Sequence, residues 1–196
     1  MKMNNSPIFI TGIPRSGVSI TAGIIDVHNV FGGEIDTRYS NNEIVEEILD
    51  PYFLMLGDLY CQYDIPSPDS LPPIAGLRNK ILNIIEEQGY KGGRWYIKDS
   101  RLILMHSILD EAFPEADWLI VKRRKFEIAQ SCMKTNYMNA YTKIENWLTW
   151  IQKWNSIIQN IESVNFNISE IYPTNFIDGD YTKVNNILKD LELKEE

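Results

Sequence analysis

The stretch that most limits how this chain can fold is residues 7–19, Pro7-Ile-Phe-Ile-Thr-Gly-Ile-Pro-Arg-Ser-Gly-Val-Ser19. The apolar run Ile8 to Ile10 predicts a buried strand. Gly12, Pro14 and Gly17 then break it with a tight loop. From Val18 the pattern turns helical, with Ile20, Ile24 and Ile25 on one side, and predicts a helix from about Gly17 to Asn29. A strand, a glycine loop and a helix start direct backbone N–H groups and the positive end of the helix dipole at one spot. Arg15 adds a positive charge there, and Ser16 and Ser19 add hydroxyl donors. The segment therefore predicts a phosphate or sulfate site. Gly12 and Gly17 have the glycine spacing of an ATP-binding loop, but Val18 stands where that loop needs a Lys to reach the β- and γ-phosphates.

Beyond the loop, strands and helices alternate. Asn41 or Asn42 can cap a second helix, with Glu43 in its first turn, and Pro51 should bend or restart it. Gln62 to Pro73 reads as an irregular surface segment, and a helix follows over about Ile74 to Gln88. Arg94 to Lys98 and Asp117 to Lys122 predict two more strands, with a helix from Leu102 to Phe113 between them. Further helices are expected over Lys125 to about Tyr137, Lys143 to Glu162 and Asp180 to Leu191, with a fourth strand from Phe166 to Ile171. This order predicts an α/β protein: one domain, residues 1–196, with a parallel β-sheet flanked by helices on both faces. Such sheets bind ligands beyond the carboxyl ends of their strands.

A net charge of −8 argues against a general nucleic-acid or anionic-membrane binder. The balance reverses locally at Lys122-Arg-Arg-Lys125, which reads either as a specific anion site or as a solvated strand end. Two cysteines, Cys61 and Cys132, give no disulfide framework and no metal-ligand spacing. Met1 to Ser6 is short and polar, so no secretory leader is expected, and no run approaches the ~18 apolar residues of a membrane span. The expectation is a cytoplasmic protein.

Two further motifs fall at strand ends. In Lys122-Arg-Arg-Lys-Phe-Glu-Ile-Ala-Gln-Ser131, Arg123 and Ser131 can grip one anion if the chain turns into a helix at Lys125. In Trp95-Tyr-Ile-Lys-Asp-Ser-Arg-Leu102, Lys98 ends a strand facing the loop, and Asp99 with Arg101 reads as an ion pair at a helix start or as an acceptor contact.

Together these segments resemble the sulfotransferases that use 3′-phosphoadenosine 5′-phosphosulfate (PAPS). Thr11-Gly-Ile-Pro-Arg-Ser-Gly-Val-Ser19 is similar to their phosphosulfate loop, matching at Pro14, Arg15, Ser16, Gly17 and Ser19, with Val18 in place of Thr. Arg123 and Ser131 match the pair that holds the donor's 3′-phosphate, with Lys125 where Pro is usual. Lys98-Asp-Ser-Arg-Leu102 resembles a Lys-Asp-Pro-Arg-Leu segment of bacterial and glycan-directed members. The resemblance implies a P-loop NTP hydrolase-like sulfotransferase fold. It implies transfer of a sulfuryl group from PAPS to a hydroxyl or amine of a small-molecule or saccharide acceptor, with no metal required.

In that scheme Arg15 and Lys98 neutralise the sulfuryl group and leaving phosphate, and Glu34, in Gly32-Gly-Glu-Ile-Asp36, is the base, with Asp36 and Glu43 as rivals. His28 and His106 read as structural. Trp147, Trp150 and Trp154 form one helical stripe and read as core. The competing readings are a P-loop nucleotide kinase and a degenerate, non-catalytic nucleotide binder.

Overall fold

The computed structural model describes residues 5–33, 35–36, 41–162 and 167–193, with only the backbone described at 35–36 and 41–42. Its centre is a four-stranded parallel sheet of β1 (Pro7–Gly12), β4 (Trp95–Lys98), β5 (Asp117–Val121) and β6 (Ile168–Ile171), in the order β4-β1-β5-β6. A small antiparallel pair, β2 (Ile35–Asp36) and β3 (Asn41–Asn42), stands apart from it. The helices are α1 (Val18–Asp26), α2 (Asp50–Met55), α3 (Leu77–Glu87), α4 (His106–Ala112), α5 (Lys125–Met133), α6 (Ile144–Glu162), α7 (Pro173–Ile177) and α8 (Thr182–Asp190).

Strands β1, β4 and β5 are apolar almost throughout because both faces of the sheet are covered there. Alternation still sorts their side chains. Phe9, Trp95, Ile97, Trp118 and Ile120 face the larger core, which α3, α5 and α6 complete. Ile8, Ile10, Tyr96, Leu119 and Val121 face a smaller core under α1, α7 and α8. Trp147, Trp150 and Trp154 are at most 2% exposed and fill the larger core, as their spacing predicts. The thiols of Cys61 and Cys132 are free and buried.

Two local expectations change, at Asn41–Asn42 and at Ser100–Met105, while the expected restart at Pro51 is met. Asn41 and Asn42 form β3 instead of capping a helix. The helical turns that follow open into a π-helical turn, Val45–Leu49, and α2 restarts with Pro51 in its first turn. Pro51 has no N–H to donate, and its ring crowds the carbonyl four residues back in a regular α-turn; the wider turn before it relieves that crowding. Ser100–Met105 is a 3₁₀-helix leading into α4, not α-helix from its start. Leu102, Ile103, Leu104 and Met105 are all buried there, so this run has no solvent face for an α-helical period to display.

Candidate functional site

The carboxyl ends of β1, β4 and β5 converge on the loop 13–17. Gly12 is required by close approach: a Cβ would lie 2.4 Å from the Val121 carbonyl oxygen and 2.8 Å from Ser16 Oγ. Gly17 has φ 110°, in the left-handed region, and its Cβ would meet Pro173 Cγ at 2.8 Å. Arg15 also has positive φ, 74°, a conformation that disfavours a side chain by roughly 1–2 kcal/mol. The Ser16 amide donates to the Ile13 carbonyl at 2.9 Å and closes the turn. Gly17 caps α1 without a side-chain hydrogen bond, and no acid occupies the first turn, so the helix's leading amides and positive dipole end are uncompensated. Ser16 Oγ is buried and has no hydrogen-bond partner among the described residues.

Lys98 ends β4 beside this loop. It is 6% exposed, and its Nζ donates to Ser19 Oγ at 3.3 Å. No described carboxylate lies within ion-pair distance of it. Burial lowers its pKa below the ordinary lysine range, against the opposing pull of Asp99. Asp99 is otherwise engaged: it caps the 3₁₀-helix through the Arg101 amide at 2.7 Å and accepts from the Arg101 guanidinium at 2.8 Å. Arg101 also binds Asp50 at 2.6 Å and the Leu59 carbonyl at 3.0 Å. Burial alone would lower the pKa of Arg101, but its two carboxylate partners outweigh that and raise it. Of the two sequence readings of Asp99 and Arg101, the structure shows the ion pair.

Arg15 joins the loop to the second motif. Its Nε donates to Ser131 Oγ at 3.0 Å and an Nη to the Tyr137 hydroxyl at 3.1 Å, while its carbonyl accepts from Arg123 at 3.1 Å. Arg123 also pairs with Glu127 at 3.1 Å. The turn between them forms without proline, because Arg124 is extended (φ −62°, ψ 130°) and α5 starts at Lys125. Arg123 and Ser131 thus meet at Arg15, though no hydrogen bond links them directly. Val18, at the position of the ATP-loop lysine, is 9% exposed and packs into the smaller core.

A search of solved structures finds a neighbour, sulfotransferase STF1 from Mycobacterium tuberculosis H37Rv (type 1 form), with a TM-score of 0.51 and 11% identity, covering 98% of this chain and 68% of that one. The fold is sulfotransferase-like. No family profile matches the sequence, and no curated protein matches it.

Within this sulfotransferase-like fold the loop, Lys98 and Arg123 line a cleft of about 1070 Å³, together with residues that carry no sequence motif: Glu46, Asp50, Tyr60 and Tyr137. The rings of Tyr60 and Tyr137 meet at a tilt of 40° with centroids 5.4 Å apart. Gln62, 3% exposed, holds their two loops together, donating to the Tyr137 carbonyl at 2.7 Å and accepting from the Asn139 and Ala140 amides at 3.0 and 3.2 Å. Glu34 lies outside the described residues, and so does the side chain of Asp36. Glu43 is exposed, accepts a hydrogen bond from Gln88 and does not line the cleft. His28 follows α1, and His106 opens α4, where burial lowers its pKa. Among the described residues no helix is long and apolar enough to cross a membrane, and no three His, Cys, Asp or Glu side chains are grouped to hold a metal.

Proposed function

We propose that this protein is a sulfotransferase that takes PAPS as donor and passes its sulfuryl group to a hydroxyl or amine of a small-molecule or saccharide acceptor. One observation carries the reading: a buried ammonium, Lys98, faces a glycine cradle with no described counter-ion. A buried unpaired charge is costly, and a bound anion offsets that cost.

The donor's 5′-phosphosulfate fits the amides of Arg15 and of Gly17 to Ser19, the Ser19 hydroxyl, and the Arg15 and Lys98 side chains. Its 3′-phosphate fits Arg123 and Ser131; the Ser131 hydroxyl, while accepting from Arg15, still has its hydrogen to donate. Sulfuryl transfer is an in-line displacement in which positioning and charge stabilisation do most of the catalysis. The chain supplies both: fixed amides orient the group, and two cations face the charge that develops on the leaving phosphate. Glu34 is the base that the family resemblance nominates. Val18, packed in the core, offers nothing to a γ-phosphate, which disfavours the kinase reading.

Thermal unfolding with PAP (the desulfated donor), AMP and Mg-ATP tests this. A ligand at a hundred times its Kd adds about 2.7 kcal/mol. We expect a shift with PAP, lost in Arg123→Ala and absent with AMP. A shift with Mg-ATP alone would replace this reading with the kinase one, and no shift with any ligand would favour the non-catalytic one.

A further inference from the structure

Transfer to an alcohol needs a group that removes the acceptor's proton. Three described acids line the cleft: Glu46, Asp50 and Asp99. Both aspartates are held by Arg101, at 2.6 Å and 2.8 Å, and a carboxylate so bound to a guanidinium is a poor proton acceptor. Glu46 is exposed and has neither a hydrogen-bond nor an ion-pair partner among the described residues. It rides on the π-helical turn Val45–Leu49, closed by the Asp50 amide donating to the Val45 carbonyl. Val45, Ile48 and Leu49 are buried and anchor that turn to the core. Single π-turns within helices occur frequently at functional sites. The result is a carboxylate unpaired among the described residues, on a fixed element, in the same cleft as two cations, Lys98 and Arg15, that have no described carboxylate partner.

We propose that Glu46, in place of the Glu34 that the resemblance nominates, is a catalytic residue: it takes the proton from the acceptor hydroxyl. The step rests on the donor reading above. The acceptor oxygen forms a bond to sulfur as its proton passes to a Glu46 carboxylate oxygen. The bond from sulfur to the bridging oxygen breaks, and its electron pair stays on the phosphate of PAP, facing Lys98 and Arg15.

Glu46→Gln keeps the shape and removes the base. The probes are PAPS in water alone, read as PAP release, and PAPS with 4-nitrophenol at pH 8, where the acceptor arrives already ionised. A positioned base contributes about 10²–10⁴-fold. We therefore expect Glu46→Gln to slow transfer to water at least about a hundredfold and to change transfer to 4-nitrophenolate by less than about twofold. Glu46→Asp should recover part of the lost rate, and PAP should shift the melting temperature of Glu46→Gln as it does the wild type. Equal loss with both acceptors, or no loss with water, would overturn the role of Glu46 while leaving the donor reading intact. A wild-type protein that PAP does not stabilise would overturn the donor reading, and this proposal with it.

Discussion

Lys98 is the residue on which burial and charge conflict most openly. Its folded pKa lies below the ordinary value of 10.5, so the folded chain releases this proton before the unfolded chain does. Between the two values the unfolded state binds more protons, and stability rises with pH across that window. The unfavourable contribution of Lys98 is therefore complete below its folded value and gone above 10.5. Lys98→Met should be more stable than wild type in urea unfolding at pH 7, with the gap closing as pH rises toward 10.5. The same substitution should weaken PAP at least about tenfold, the worth of one charge-assisted hydrogen bond; calorimetry at pH 7 reads this. That Lys98, the loop residues and Arg123 stand together at the carboxyl ends of the strands was legible in the sequence, because each directly follows an apolar strand run. Glu46, Asp50 and Tyr137 were not. Asp50 meets Arg101 from 51 positions away, and Tyr137 meets Arg15 from 122, so only the folded chain brings them into one cleft.

Among the elements, the loop between β1 and α1 tolerates least. A Cβ at Gly12 would stand 2.4 Å from a backbone oxygen of β5, which cannot move without disturbing the sheet. Gly12→Ala should lose about 1–3 kcal/mol in urea unfolding, the usual cost of overpacking. Gly23 gives the contrast: it lies within α1 with nothing within 4 Å of its would-be Cβ, and Gly23→Ala should gain up to about 1 kcal/mol from helix propensity alone. The sheet strands and the long helices could be read from the sequence because they carry apolar runs or amphipathic periods. The β2–β3 pair could not, since two-residue strands hold no period. Nor could α7, five residues opening with a proline. The 3₁₀ start before α4 was hidden for the opposite reason: its run is apolar on every side.

The whole molecule is a sheet with two unequal coats. The thinner one depends on the C-terminal unit: Phe176, Val184, Ile187 and Leu188 cover Ile8, Ile10, Leu119 and Val121. Arg94 ties this unit down through the Leu191 carbonyl at 3.1 Å. A chain ending at residue 172 keeps Arg15, Lys98, Arg123 and Ser131 but uncovers one face of the sheet, and it should not hold a fixed fold. Thiol labelling measures this. In the intact protein burial pushes the thiols up, to about 12 for Cys61 and about 11 for Cys132, and both should resist alkylation at pH 8. In the shortened chain both should react freely.

The seat of Gly17 against Pro173 also has a consequence for synthesis. The cradle is made before every segment that completes it: its strand pairs on one side with residues 95–98 and on the other with 117–121, and its rear wall is Pro173. A nascent chain therefore closes this cradle only once Pro173 has followed Gly12 and Gly17 out of the ribosome.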